Sequence, residues 1–387
     1  MKKLLFYSHD SYGLGNIRRM VAIAEYLVNH NRDVYILLLT GSPMLHAFRT
    51  HPQIDYIKLP CLQRSQDAAY SAKLECFNID SLIQMRSALI RSSIEGFQPD
   101  LILVDKKPEG LSGELRETID SLESHTKKPR QVLLLRDILD EPHITHSIWS
   151  KNRYFKLIDE WYDEILVVGE KAIFDVSDKY RFPASNREKV TYCGYLDRTR
   201  SHDDSQNLDL NSLDQKVIVV AVGGGDDGRK VLEAYIHGLA DAPWSDDVKS
   251  ILFYGPEMNE RDYTHLTDLV RDRKNIELKE FTNEFESYLE LSDLVISMGG
   301  YNTVCEVLSY HKPMIIVPRV TPVSEQLIRA QCFYEKGIVD YIHPEALTSE
   351  TLMSKVNDIL SDDHPNRLVS DLNMHGMEVL EQRLLHT

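Results

Sequence analysis

The sequence predicts an α/β chain built as two doubly wound domains that face a cleft. Three observations carry that prediction. Short apolar runs alternate with helical stretches over most of the 387 residues. The alternation lapses once, across a polar stretch near 198–216, and then restarts. Glycine-rich turns directly follow several of the apolar runs. Alternating β and α segments build parallel sheets with helices on both faces, and such sheets take ligands beyond the carboxyl ends of their strands.

Taken in order, residues 4–8 read as a strand, 15–29 as a helix and 34–39 as a second strand. Residues 101–104, 132–135 and 165–168 are short buried strands, with 96–100 and 128–130 as loops between them. The polar run from Arg198 to Asn207 has no periodicity and reads as a linker. Strands resume at 217–222, 251–254, 276–278, 294–297 and 314–317. Over 365–384, Leu368, Leu372, Met377, Leu380 and Leu384 recur at near-helical spacing. The expected division is a first domain over 1–200, a linker over 201–215, a second domain over 216–364 and a terminal helix within 365–387.

Composition narrows the function. With 42% hydrophobic and 27% charged residues the chain can bury proper cores and is not a disordered polymer. Residues 1–200 hold 28 Lys/Arg against 27 Asp/Glu, a net of +1, whereas 201–387 hold 16 against 33, a net of −17. That balance excludes a nucleic-acid binder, which needs a basic face. An anion bound by the second half must be held locally, by backbone N–H groups or a helix end. No apolar run is long enough to span a bilayer. The amino terminus meets His9 and Asp10 too soon for a secretory signal. Five cysteines without a C-x-x-C pair argue against a disulfide framework or a structural zinc site and fit a reducing cytoplasm.

Four motifs carry the chemistry. Ser8-His9-Asp10-Ser11-Tyr12-Gly13-Leu14-Gly15-Asn16 follows the first strand. Gly13 and Gly15 allow a tight turn and close approach to a ligand; with Arg18 in place of a third glycine, an ordinary strand–helix turn is the alternative. His9, Asp10 and Asn16 are polar groups at the strand end. Gly223, Gly224 and Gly225 follow another buried strand and suit a diphosphate at a helix N-terminus, the alternative being a flexible turn. In Met298-Gly299-Gly300-Tyr301-Asn302-Thr303-Val304-Cys305-Glu306 a glycine pair again opens a helix. There Thr303 and Glu306 form either a capping box or, with Glu306 accepting from ribose hydroxyls, part of a nucleotide site. Glu325 and Gln326 follow Pro318 and Pro322, and read either as sugar-hydroxyl ligands or as a polar helix start. Loops at Lys106–Gly110 and Arg136–Pro142 also follow strands, so Asp137 lies where the cleft is expected. There is no D-x-D, H-E-x-x-H or G-x-S-x-G, and no metal site is expected.

The third motif, with Lys312-Pro313-Met314-Ile315-Ile316-Val317-Pro318 and Ser324-Glu325-Gln326-Leu327-Ile328-Arg329-Ala330, resembles the donor-binding half of MurG-like glycosyltransferases. That group includes the peptidoglycan N-acetylglucosaminyltransferase. Residues 223–228 match its second glycine-rich loop and 12–16 its first. The match is clearest over 215–345, and it points further to a bacterial branch of predicted glycosyltransferases. The resemblance implies a GT-B fold of two Rossmann-like domains, acceptor on the first and nucleotide sugar on the second, with the terminal helix crossing back to the first. It assigns Glu306 to the ribose hydroxyls and Gly299, Gly300, Asn302 and Thr303 to the diphosphate. It assigns Glu325 and Gln326 to the sugar or ribose, and Phe281 and Thr282 to the base.

The implied reaction is inverting, metal-independent transfer of a sugar from a nucleoside-diphosphate sugar, a UDP-sugar by analogy, to a hydroxyl. The nucleotide sugar is a substrate, and no cofactor is implied. A lipid-linked or polysaccharide acceptor fits, as does cytoplasmic work in polysaccharide or glycolipid synthesis with peripheral contact at the inner membrane face. Lys2, Lys3, Arg18 and Arg19 are the basic residues for such a contact. The sequence departs from the family at Asn16, where the first glycine loop ordinarily ends in a histidine that serves as base. Asn takes no proton at neutral pH. Either His9, Asp10 or Asp137 serves, or the acceptor needs little help, or transfer is weak. A catalytically weak nucleotide-sugar-binding protein and a nucleotide-sugar 2-epimerase are the alternatives.

Overall fold

In a computed structural model, residues 1–9, 15–43, 50–64, 70–122, 127–199, 215–224, 227–280, 282, 284–361 and 372–386 are described. They form two compact units, one of 1–195 with 375–387 and one of 196–374. Most of the expected linker, 201–214, lies outside the described residues, and the division between units falls before it, at Leu196.

The first unit is built on a seven-stranded sheet. Its strands are β1 (Lys2–Ser8), β2 (Val34–Thr40), β3 (Ile54–Lys58), β6 (Leu101–Asp105), β7 (Arg130–Arg136), β8 (Glu164–Val168) and β9 (Val190–Tyr192). Their order is β3-β2-β1-β6-β7-β8-β9, and every pairing is parallel. A separate antiparallel pair, β4 (Leu62–Arg64) and β5 (Tyr70–Ala72), interrupts the alternation. Helices cover both faces, which is why β6 and β8 are buried at every residue and read as apolar runs over 101–104 and 165–168. The edge strands β3 and β9 are half-exposed and polar, and for that reason carry no such signal in the sequence.

The second unit repeats the plan with six strands: β10 (Lys216–Ala221), β11 (Val248–Phe253), β12 (Ile276–Lys279), β13 (Leu294–Ser297), β14 (Met314–Ile316) and β15 (Asp340–Tyr341). Their order is β12-β11-β10-β13-β14-β15, again all parallel. Ile218, Val220, Leu252, Leu294, Ile296 and Ile315 line its core. In both sheets the order reverses at the first strand of the unit, so the loops after β1 and β6, and after β10 and β13, part at the carboxyl edge.

The last helix, Gly376–Leu385, belongs to the first unit. It begins later than the apolar spacing predicts: 372–375 are not helical, and 362–371 lie outside the described residues. Gly376 marks the start for a steric reason. A Cβ there would stand 2.6 Å from the Tyr195 carbonyl oxygen, which accepts the Gly376 N–H at 2.9 Å. Arg383 Nε donates to Glu164 Oε1 at 2.7 Å, Arg130 Nη1 to the Arg383 carbonyl at 2.6 Å and Lys2 Nζ to the Leu385 carbonyl at 2.6 Å. Arg130 also pairs with Glu164, whose carboxylate is nearly buried between two guanidinium groups. Leu380 and Leu384 are fully buried. Leu380→Ala is expected to lower the stability of the first unit by about 2–5 kcal/mol, read by urea unfolding; a change below the measurement error would mean that the helix is dispensable.

Candidate functional site

In the second unit the register Ala221↔Ser297 brings the two glycine motifs to neighbouring positions on the carboxyl edge. After β13, Gly299 takes φ +76, and a Cβ on it would stand 2.7 Å from Ile316 Cγ2. Its N–H donates to Ser297 Oγ at 3.1 Å. Its carbonyl accepts from Arg329 Nη1 at 2.9 Å. Arg329 is fully buried and lies 3.7 Å from Glu325 Oε1. The glycine turn and the Glu325–Gln326 helix start are thus tied together by one arginine. Gln326 Oε1 accepts the Arg319 N–H at 2.9 Å, which leaves its amide donors for other partners.

The turn opens the helix Tyr301–Ser309 with Gly300 at the N-cap and no side-chain cap. This corrects the capping-box reading of Thr303 and Glu306. The positive φ at Gly299 starts the helix at Tyr301, so Thr303 lies inside its first turn and Glu306 in its second. Glu306 is fully buried, with Arg198 Nη2 at 3.8 Å from Oε1. Arg198 N donates to Ser309 Oγ at 2.8 Å, so the start of the polar stretch packs on this helix rather than forming a free linker.

The other glycine motif is less open than its sequence suggests. The Glu257 N–H donates to the Gly224 carbonyl at 2.7 Å. The Glu257 carboxylate lies against Gly224, 2.5 Å from where a Cβ would stand. An anion at this turn meets that carboxylate. Arg319 Nε lies 3.6 Å from Asp227 Oδ2 just beyond it. Gly225 and Phe281 are outside the described residues. Thr282 Oγ1 accepts the Glu284 N–H at 3.0 Å, beside the helix Phe285–Leu291.

In the first unit the register Tyr7↔Val104 sets the ends of β1 and β6 side by side. His9, nearly buried, stands with Nδ1 3.4 Å from Oδ2 of the fully buried Asp105. Arg19 Nη2 donates to Asp105 Oδ1 at 2.5 Å and to Asn16 Oδ1 at 3.3 Å. Asn16 Nδ2 lies 3.4 Å from His9 Nε2. Burial by itself raises the Asp105 carboxyl, but the Arg19 charge and His9 overcome it and hold the group well below the usual carboxylate range. The next residue, Lys106, takes φ +62, a left-handed backbone that costs a side-chain-bearing residue about 1–2 kcal/mol; such strain gathers at functional edges.

Gly15 opens the helix Gly15–His30, and Asp10 and Gly13 lie outside the described residues. Asp137, at the end of β7, is buried, with Oδ1 accepting the Ile138 N–H at 2.7 Å and Oδ2 3.5 Å from Tyr195 Oη. Arg19 is buried in this cluster and Lys2 and Lys3 donate to carbonyls, which removes Arg19 from any membrane-facing basic patch. Among the described residues, no group of three or more His, Cys, Asp or Glu is placed to hold a metal ion, and no helix is long and apolar enough to cross a membrane.

Sequence reasoning gave no site role to Asp105, Arg198, Arg329 and Glu257, and gave Arg19 only a membrane-facing one. For Asp105 a signal existed: a carboxylate closing an otherwise apolar strand. The arginines carried none, because each makes a contact with a residue distant in sequence: Arg19 with Asp105, Arg198 with Glu306 and Arg329 with the Gly299 carbonyl.

The model of the glycosyltransferase family 28 C-terminal domain matches residues 218–384. Residues 218–384 are thus similar to that family's C-terminal domain, and the chain as a whole resembles the MurG-like GT-B glycosyltransferases. A UDP-N-acetylglucosamine--N-acetylmuramyl-(pentapeptide) pyrophosphoryl-undecaprenol N-acetylglucosamine transferase of Shouchella clausii is 34% identical over 98 residues, 24% of this chain and 28% of that one. The enzyme of the same name from Caldicellulosiruptor saccharolyticus is 26% identical over 355 residues, 90% of the MurG-like chain and 87% of its own. The solved structure of Acinetobacter baumannii MurG covers 100% of both chains at a TM-score of 0.61 and 11% identity. A putative UDP-N-acetylglucosamine 2-epimerase of Listeria monocytogenes reaches 0.67 at 12% identity, covering 100% and 98%. Both structural likenesses speak for the fold alone.

Two outcomes follow for the MurG-like chain. Gly299→Ala forces a Cβ into Ile316 at a positive φ and is expected to cost at least about 1–2 kcal/mol, measured by chemical unfolding. Because the Asp105 carboxyl is held low in the folded state, its ion pair contributes fully above about pH 4. That contribution fades as pH falls further, so Asp105→Asn is expected to flatten the acid side of the stability profile.

Proposed function

We propose that the chain is an inverting glycosyltransferase that moves a sugar from a UDP-sugar to a hydroxyl, with a lipid-linked molecule as the acceptor class. The observation that carries this reading is the second unit's edge after β13. There a glycine turn, a helix N-terminus and the buried Glu306 one turn further along stand within the family-matched segment. The names of the sequence relatives supply the donor and acceptor classes.

In this reading Glu306 accepts from the ribose hydroxyls, with Arg198 beside it as the local cation. The N–H groups of Gly300, Tyr301, Asn302 and Thr303, at the positive end of a nine-residue helix, face the diphosphate. Gly223 and Gly224 approach it from the neighbouring strand. Gln326 donates its amide, and Glu325, oriented by Arg329, accepts from sugar hydroxyls. Charge develops on the departing diphosphate, and backbone donors aimed there are worth about 3–4 kcal/mol each. The acceptor belongs to the first unit's edge, where His9 and Asp137 are candidates for the proton; Asp10, outside the described residues, is a candidate by sequence alone. No metal is assigned a part, so full turnover in excess chelator is expected; strict dependence on a divalent ion would overturn this account.

The deciding experiment is calorimetric titration with UDP and UDP-sugars, beside Glu306→Ala. Binding that collapses in a still-folded variant supports the donor site, whereas no nucleotide binding removes it. Glu257→Gln is expected to tighten UDP by several-fold, since it takes a negative charge from the glycine turn. Donor incubated alone separates transfer from 2-epimerisation: a transferase returns it unchanged or slowly hydrolysed, an epimerase as a mixture of sugars.

A further inference from the structure

The geometry points to His9 as the general base of the proposed transfer, with Asp105 as its positioning residue and Asn16 and Arg19 setting its tautomer. The inference rests on the transferase reading. It deepens it beside Asn16, where the sequence departs from the motif it resembles.

The assignment follows from a chain of donors and acceptors that starts at Arg19. A guanidinium has only donors. Arg19 Nη2 therefore requires an oxygen from Asn16 as well as from Asp105, and it has both, at 3.3 and 2.5 Å. With Oδ1 turned to Arg19, Asn16 presents its amide nitrogen to His9 Nε2 at 3.4 Å. A donor facing Nε2 means that Nε2 carries the lone pair. The ring proton is then on Nδ1, which faces Asp105 Oδ2 at 3.4 Å. The Asp105 carboxylate, which Arg19 holds ionised, is the charge that this proton faces across that distance.

Each partner has a distinct task. Asp105, from the end of β6, orients the ring and balances the imidazolium once it forms. Asn16, oriented by Arg19 from the helix Gly15–His30, sets an amide donor against Nε2, with Nδ1 toward Asp105. The long 3.4 Å separation at Nε2 marks a weak contact that an acceptor hydroxyl can replace. Asn16, at the position of the family's base, is thereby the group that prepares the base seven residues earlier.

The step balances without a further reactant. The acceptor oxygen forms its bond to the anomeric carbon as its proton passes to His9 Nε2. The bond from that carbon to the diphosphate oxygen breaks, and its electron pair leaves with the nucleotide. The imidazolium, paired with Asp105, returns the proton to solvent.

The test has two arms. In the first, the full-length protein labelled with 15N-histidine is examined by long-range 1H–15N correlation without any ligand. The His9 signal is assigned by its loss in His9→Gln. At neutral pH, protonated Nδ1 and bare Nε2 are expected; the opposite tautomer, or a ring doubly protonated across the neutral range, overturns the inference. Asn16→Ala and Asp105→Asn should each shift His9 toward a mixture of tautomers, and no change in either also overturns it. This arm does not depend on the transferase reading, which the binding of UDP tests separately.

In the second arm, turnover is measured with UDP-sugar and a lipid-linked acceptor. His9→Gln is expected to lose about 10²–10⁴-fold in kcat with UDP affinity retained. Asp105→Asn should lower kcat and move the acid limb of the kcat/KM profile; among the described residues, Arg19 and Asp105 are the charged groups around His9. A purely structural role for Asp105 would lower the yield of folded protein and leave that limb in place. Retained kcat in His9→Gln refutes the assignment.

Discussion

A parallel sheet that grows from its first strand in one direction and then continues from that same strand in the other must send its crossovers to opposite faces. The loops beyond the shared edge then part, and the gap exposes backbone donors that no neighbouring strand satisfies. Both units of this chain obey that constraint. In the first, the gap lies between the ends of β1 and β6; in the second, between β10 and β13. His9 stands at the first edge with Asp105 and Arg19, and Gly299 and Glu306 follow the second.

The two edges solve different electrostatic problems. The second unit is strongly acidic in sequence yet has to receive an anion in the proposed function. Its means are local: a helix start aligned by a glycine with positive φ, and arginines held in fixed places. Arg329 clamps the Gly299 carbonyl, and Arg198 lies against Glu306. The first edge contains a carboxylate with no access to water. An unpaired charge there would be costly, and Arg19 supplies its partner. That pairing also fixes Asn16 and through it His9. Conformational precision at this edge is a consequence of satisfying one buried charge.

The terminal helix shows the same economy of means. It leaves the second unit's segment in sequence and completes the first unit in space, held by Glu164 between Arg130 and Arg383. The family match runs through it, because the match follows the sequence, whereas the compact units follow packing. Arg198 makes the converse case: it reads as linker and packs as part of the second unit.

Much of the fold was legible in the amino-acid order. Central strands such as β1, β6 and β10 are covered on both faces, so their middles are apolar runs with polar residues only at the ends, and that pattern is local. The glycine pair at Gly299–Gly300 and the spacing to Glu306 are likewise local, because a turn and the helix after it involve consecutive residues. Edge strands β3, β9 and β15 were not legible, since half-exposed strands tolerate polar residues. Tertiary structure alone decided how the polar side chains pair. Glu306 and Arg198 are 108 positions apart, and Asp105 and Arg19 are 86 apart. The sequence states that a histidine, an asparagine, an aspartate and an arginine exist. Only the adjacency of β1 and β6, set by burial of their apolar side chains, determines that these four meet, and in what order their donors and acceptors face.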